Sequence, residues 1–168
     1  MYIGVMTCLP YAADLDRTVL DTWTVDDSND WWTGLVHDRD HDTGERRLRL
    51  ERWVDNGNSC SNPHTWRVRP DFWEAERDAV ATFERRGGRS PPARLPIDNR
   101  LTPLEYTCIR KDDTRWVAVV RVDRPYKSPC IRLYHWNPAD AALRQKWTVG
   151  RHWAELKDLA TRQLRPVA

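Results

Sequence analysis

The sequence lacks the features of a membrane protein, of a small disulfide-rich protein and of a zinc protein. No apolar run is long enough to span a bilayer, so we expect no membrane partner. The first eight residues are too short for a signal peptide and lack its basic start, which favours an intracellular protein. The four cysteines form no CxxC pair, which argues against zinc and against a disulfide framework. Cys108 and Cys130 fall in predicted strands, and we interpret them as small buried apolar residues.

Common catalytic motifs are also missing, since the sequence contains no GxSxG, P-loop or HExxH pattern. One cluster could serve a metal-dependent hydrolase, and its members are His37, Asp38, Asp40 and His41. Their spacing matches no familiar set of metal ligands. A Thr-Gly pair follows them, which is typical of a hairpin turn. We therefore predict a solvated turn, no metal, no cofactor and no enzymatic activity.

Charge is balanced over the whole chain but unevenly distributed along it. The 27 Lys/Arg and 25 Asp/Glu give a net charge of +2. Residues 1–86 hold 11 basic and 17 acidic side chains, a net of −6, whereas residues 87–168 hold 16 and 8, a net of +8. Arginine greatly outnumbers lysine, which favours planar and bidentate contacts. An acidic ligand is therefore expected on the second half of the chain.

Tryptophan, usually a rare residue, occurs ten times and follows a repeated template. Four pairs match in order at separations of 84, 83, 81 and 80 residues: Trp32/Trp116, Trp53/Trp136, Trp66/Trp147 and Trp73/Trp153. The separations shrink steadily, as expected when only loops lose residues. Alternation of apolar and polar residues around the template predicts strands, and a helical stripe follows each set. The pattern indicates an internal duplication.

We predict an α+β fold made of two ββββα repeats, each an antiparallel sheet with a C-terminal helix, packed as an intramolecular pseudo-dimer. A lone helix covers only part of one sheet face, so neither repeat has enough core alone. The predicted strands of the first repeat cover 18–25, 31–36, 46–54 and 65–69, before a helix at 71–86. Those of the second cover 104–110, 116–122, 130–136 and 146–149, before a helix at 151–163. The domain limits are an N-terminal arm at 1–16, repeats at 17–86 and 100–168, and a Gly/Pro-rich linker at 87–99.

The second repeat carries a recognisable series of motifs. These are Trp116-Val-Ala-Val119, Ile131-Arg-Leu-Tyr-His-Trp136-Asn-Pro138, Arg144-Gln-Lys146 and Trp153-Ala-Glu-Leu-Lys157. The series resembles the DNA-binding domain of the positive-cofactor-four transcriptional coactivators. The first repeat shows it in weaker form, and Whirly and Pur-alpha-like proteins share the ββββα unit. The resemblance implies binding of single-stranded nucleic acid. Two departures are that the coactivators dimerise between chains and that the first repeat here is acidic.

Single-strand binding needs cations for phosphates and aromatic faces for bases. In the first repeat the candidates are Arg47, Arg49, Trp53, Arg67 and Arg69. In the second they are Trp116, Arg121, Arg124, Lys127, Arg132, Tyr134, Trp136, Arg144 and Lys146. Trp53 and Trp136 share strand faces with arginines and are the tryptophans expected to meet bases. Trp66, Trp73, Trp147 and Trp153 lie on apolar faces and are expected in the core.

The leading hypothesis is a single-stranded nucleic acid binding protein, DNA in preference to RNA, that acts as a transcription cofactor or a phage-type strand-protecting protein. Its expected partners are single-stranded DNA or RNA and the transcription or replication machinery. We expect a monomer with an internal pseudo-dimer, with a higher oligomer left open, in the cytoplasm or associated with the nucleoid. The alternative is a protein-interaction module that kept the fold and lost nucleic acid binding.

Overall fold

The computed structural model describes residues 16–28, 30–57 and 60–167, so the predicted arm at 1–16 lies outside the described residues except for Asp16. Within these ranges the chain forms eight strands and two helices. The first five elements are β1 (Arg17–Ser28), β2 (Trp31–Asp40), β3 (Arg46–Asp55), β4 (Cys60–Val68) and α1 (Trp73–Arg86). The others are β5 (Thr102–Lys111), β6 (Trp116–Arg124), β7 (Lys127–Trp136), β8 (Leu143–Val149) and α2 (Trp153–Val167). Each predicted strand and helix overlaps one of these elements.

The predicted fold class is nevertheless wrong. The chain is 53% strand and 18% helix, and its strands form a single large antiparallel sheet instead of two separate ββββα repeats. The strand order is β1-β2-β3-β4 in the first half of the chain and β8-β7-β6-β5 in the second. The helices also group with the strands of the other half: α1 contacts β5 and β6, whereas α2 contacts β2 and β3. Two compact units result, a first unit with β1–β4 and α2, and a second unit, residues 71–151, with α1 and β5–β8.

The first unit buries apolar residues on β2, β3 and β4. The register pairs Leu35 with Leu50 and Leu50 with Trp66, so these three side chains share one sheet face. All three are buried. The tryptophans assigned to the core, Trp66, Trp73, Trp147 and Trp153, are each at most 6% exposed, which confirms that prediction.

The second unit has a core cluster on one face of β6 and β7. Its buried members are Trp116, Ala118, Val120, Val122, Tyr134 and Trp136. Leu95, Ile97 and Leu101 pack against this cluster from the segment that joins α1 to β5. On α1 the buried residues include Trp73, Val80 and Phe83. The segment predicted as a linker therefore covers apolar surface.

The cysteines differ from one another. Cys108 carries a free thiol and is exposed, so the prediction that it is buried is wrong. Cys130 carries a free thiol and is partly buried against the core cluster of the second unit. Cys60 is disulfide-bonded. Among the described helices, none has the length and apolar character that a membrane crossing requires.

Candidate nucleic-acid interface

The cations predicted on β3 belong to a buried ionic network of the first unit. Asp38 is fully buried and accepts hydrogen bonds from Arg17 Nη1 at 2.9 Å and from Arg47 Nε at 2.8 Å. Arg17 also donates to both carboxylate oxygens of Glu51, at 2.6 and 3.0 Å. The Nε atom of Arg49 lies 3.9 Å from Asp38. The positive charges on this face are thus opposed by carboxylates of the same unit.

Burial and charge act against each other in this network. Burial alone would lower the pKa of Arg17, but hydrogen bonds and charge interactions with Glu51 and Asp38 raise it well above its ordinary value. For Arg49, burial lowers the pKa, the positive charge of Arg47 lowers it further, and Asp38 opposes both. Arg17, Arg47 and Arg49 all lie against the Asp38 carboxylate and stabilise it, because a buried carboxylate without a cation is costly. They do not form an open phosphate-binding row.

The other predicted contacts of the first unit are also engaged. Trp53 is half-buried, and its Nε1 donates to Glu51 at 3.0 Å. Arg67 Nη2 donates to Glu45 at 2.5 Å. Arg69 is half-buried at the end of β4. The structure therefore does not unite the first-unit candidates into one exposed basic surface.

Only His41 of the histidine and aspartate cluster lies in the hairpin turn. His37, Asp38 and Asp40 belong to β2 and Asp38 is fully buried, so the prediction of a solvated turn is wrong for these three residues. The carbonyl oxygen of Asp40 accepts from the Gly44 amide, and its carboxylate accepts from the amides of Asp42 and Thr43. These backbone amides, with that of Thr43 first, lower the pKa of Asp40. His41 Nε2 lies 2.8 Å from the Thr18 hydroxyl. In the parts of the chain that the structure describes, no three His, Cys, Asp or Glu side chains are grouped to hold a metal ion.

The aromatic candidates of the second unit lie in its core. Trp136 is 0% exposed, and Trp116 and Tyr134 are also buried. The Tyr134 and Trp136 rings stack at 5.2 Å with an interplanar angle of 6°, and Trp116 lies 4.5 Å from Trp136. Trp116 Nε1 donates to the Tyr106 hydroxyl, and Trp136 Nε1 to the Pro96 carbonyl oxygen at 2.7 Å. In this conformation the faces and polar atoms of these rings are covered, and the prediction that they meet bases stays a prediction.

Arg132 and Lys146 concentrate positive charge beside these rings. The β7–β8 register pairs Tyr134 with Lys146 and Arg132 with Thr148, so all four side chains share one face. Arg132 donates to the hydroxyls of Thr148, at 3.1 Å, and Tyr134, at 3.4 Å. Both acceptors are neutral and offset none of its charge. Burial, followed by the charge of Arg132, lowers the pKa of Lys146.

The β6–β7 hairpin presents the aromatic residue that the sequence analysis missed. Tyr126 has a relative exposure of 105%, and its φ of 60° places it in the left-handed region. It lies between Pro125 and Lys127 in a two-residue loop. Proline followed by a positive φ is typical of a type II turn, which usually has glycine where Tyr126 stands. The Pro-Tyr pair between two predicted strands was the available signal.

The remaining second-unit cations differ in their exposure. Lys127 and Arg144 are exposed. Arg124 is partly exposed and donates from Nε and Nη2 to the Ser128 carbonyl oxygen, at 2.9 and 2.7 Å. Arg121 instead lies 3.6 Å from Glu105, with its guanidinium over the Phe83 ring of α1. The structure thus places Arg124 and Lys127 at the two ends of the loop that carries Tyr126, whereas Arg121 lies against α1.

The unequal charge also follows the compact units. Residues 71–151 hold 16 Lys/Arg and 11 Asp/Glu, a net of +5. The rest of the chain holds the other 11 Lys/Arg and 14 Asp/Glu, a net of −3.

No protein-family model matches the chain, and comparison with curated proteins found no match. The resemblance to the coactivator, Whirly and Pur-alpha-like proteins stays a prediction.

Proposed function

We propose that the protein binds single-stranded nucleic acid, DNA in preference to RNA, through the second unit. The observation that carries the proposal is the fully exposed ring of Tyr126, placed in a left-handed turn beside Arg124 and Lys127. A bulky residue at such a position costs folding free energy, and strained residues are concentrated at functional sites. An exposed aromatic face between cations is the arrangement on which a base can stack while its phosphates are neutralised.

Electrostatics support the second unit over the first as the interface. The second unit has a net charge of +5, with exposed cations at Lys127 and Arg144 and partly buried ones at Arg132 and Lys146. In the first unit, carboxylates pair with the predicted cations Arg47, Arg49 and Arg67. Phosphate binding supplies most sequence-independent affinity. We propose a transcription cofactor or a strand-protecting protein as the biological role, because both need single-strand binding of this kind.

Competition between single-stranded DNA, duplex DNA and RNA, measured by fluorescence anisotropy across salt concentrations, tests the proposal. We expect single-stranded DNA to bind most tightly, with an affinity that falls as salt rises. Arg144→Glu should weaken binding and reduce the salt slope by about one phosphate contact. The matched control is Arg46→Glu, an equal charge change at an exposed site of the first unit. No binding to any of the three at low salt, or equal losses in both variants, would overturn the proposal.

A protein-interaction module is the second candidate. It is favoured by the ionic pairing of the first-unit candidates and by the burial of Tyr134 and Trp136, which leave fewer groups for nucleic acid than the sequence predicts. The same titrations separate the two functions. A well-folded protein that binds none of the oligonucleotides would support the interaction module.

A further inference from the structure

A short segment of the second unit covers the sheet face that a single strand would need. This segment, residues 95–101, is called the strap. Leu95, Ile97 and Leu101 pack against the cluster that contains Tyr134 and Trp136. The Pro96 carbonyl oxygen accepts the indole N–H of Trp136. The strap therefore covers the rings of Tyr134 and Trp136 and accepts the hydrogen bond of the Trp136 indole N–H.

The strap also brings a carboxylate towards the cations on this face. Asp98 accepts from the Arg100 side chain at 3.2 and 2.9 Å and from the Arg100 amide at 2.9 Å. These hydrogen bonds, and in smaller part the charges of Arg100 and Lys146, lower the pKa of Asp98 to about 2. The strap thus carries a negative charge that acts on Lys146 through space, while the hydrogen bonds of that carboxylate come from Arg100.

The backbone of the strap is held by local bonds. Among the described hydrogen bonds, its amides donate within the strap: Ile97 to the Leu95 carbonyl and Leu101 to the Asp98 carbonyl. The sheet-like pair lies outside it, where Arg89 and Tyr106 exchange two backbone bonds of 2.8 Å. The strap can therefore leave the face without breaking a strand ladder, while Arg89 and β5 hold its ends.

We infer that the strap and single-stranded nucleic acid compete for one sheet face, so that a bound strand displaces the strap and gains the rings of Tyr134 and Trp136 together with Arg132 and Lys146. The inference rests on the proposed function. Tyr126 and the hairpin cations make the first contact, because they are exposed while the strap is closed. Because only molecules with an open strap can bind at this face, the apparent affinity equals the intrinsic affinity multiplied by the fraction of molecules in which the strap is open.

Weakening the strap should therefore tighten binding. Asp98→Asn removes the carboxylate that competes with phosphate, and we expect about threefold or greater affinity for a single-stranded oligonucleotide. The matched control is Asp113→Asn, which makes the same charge change in the exposed turn between β5 and β6. An equal gain in both variants would reflect net charge alone and would overturn the inference.

Hydrogen exchange of the unaltered protein provides a second measurement that needs no variant. On saturation with the oligonucleotide, the amides of Ile97 and Leu101 should exchange faster, while those of Arg89 and Tyr106 keep their protection. Unchanged or slower exchange in the strap, with binding intact, would overturn the competition but leave the proposed function standing. Failure of both proteins, unaltered and Asp98→Asn, to bind any oligonucleotide would overturn both.

Discussion

Replacing Tyr126 separates its two effects, since the residue adopts a left-handed backbone conformation and also presents a fully exposed ring. Tyr126→Phe keeps the ring without its hydroxyl. Tyr126→Ala removes the ring but keeps a side chain at positive φ. Tyr126→Gly removes both the ring and the steric cost. The three variants together distinguish a loss of base stacking from a change in the folded hairpin.

The expected loss of binding follows from stacking. One base on an aromatic side chain contributes about 1–3 kcal/mol. Since each 1.4 kcal/mol is a factor of ten, Tyr126→Ala should weaken single-strand binding by roughly 5- to 150-fold. Tyr126→Gly should lose about as much, whereas Tyr126→Phe should bind nearly as well as the unaltered protein, because the stacking face remains.

Stability should change in a different order. A left-handed backbone costs a residue with a Cβ about 1–2 kcal/mol, and glycine loses about 0.5–1 kcal/mol more conformational entropy than alanine on folding. Tyr126→Gly should therefore raise the free energy of unfolding by roughly 0–1.5 kcal/mol. Tyr126→Ala should leave it within about 0.5 kcal/mol, because the ring is fully exposed and buries little surface.

Anisotropy titrations with a labelled single-stranded oligonucleotide measure the affinities, and urea unfolding followed by tryptophan fluorescence measures the stabilities. A Gly variant with a higher free energy of unfolding and weakened binding would show that the ring of Tyr126 contributes to binding at a cost in stability. Unaltered binding by both the Ala and the Gly variants would refute the assignment of Tyr126 as a stacking residue.

Three further predictions concern stability and are measured by urea unfolding. Arg17→Met leaves two buried carboxylates without their shared cation and should lower the free energy of unfolding by about 3–5 kcal/mol. The exposed control Arg46→Met should change the free energy of unfolding by less than about 0.5 kcal/mol. Equal effects of the two variants would contradict the stabilising role of the network. Gly34→Ala places a Cβ against the backbone carbonyl oxygen of Trp23 and 2.8 Å from the buried indole ring of Trp32, and should lower the free energy of unfolding by about 2 kcal/mol or more. Gly150→Ala is the control, because the space around Gly150 is open. A tolerated Gly34→Ala would show that β1 and β2 can separate. Because the folded-state pKa of Asp98 is depressed to about 2, the stabilisation that its carboxylate gives the fold is complete above about pH 4 and is lost as the pH falls towards 2. Asp98→Asn should therefore make the free energy of unfolding less dependent on pH in this range. The same dependence in both proteins would exclude this contribution.

Alternation along the strands was sufficient to predict where strands lie, because the side-chain period of two is local. It could not predict how the helices group. The buried residues of α1 include Trp73 and Val80, and those of α2 include Trp153 and Ala160, in the same helical positions of the template. Periodicity identifies a helix's apolar stripe but not the strands that it covers. The two helices therefore resemble each other in sequence and yet group with the opposite halves of the chain.

Burial of charge and exposure of tyrosine were equally hard to predict from a local pattern. Arg17, Asp38 and Glu51 lie in different strands and meet only through the register of β1, β2 and β3, so each alone reads as part of a solvated face. Tyr126 reads as a turn residue next to proline, and its exposure depends on a positive φ. The ionic network thus depends on the register of residues distant in sequence, whereas the conformation of Tyr126 is set within the two-residue loop of its hairpin.

The strap explains why the aromatic part of the predicted interface is covered in the structure. Arg132, Tyr134 and Trp136 alternate as an exposed binding face would, and the alternation correctly places them on one side of β7. A Pro-rich connection normally reads as a solvated spacer. Here its apolar residues cover the rings, while the hydrogen bonds that Arg132 donates to Thr148 and Tyr134 go to neutral hydroxyls. Partly burying the charge of Arg132 costs free energy that an apolar residue at the same position would avoid. A ligand that reaches this face when the strap moves away, as we propose, would account for an arginine at this position.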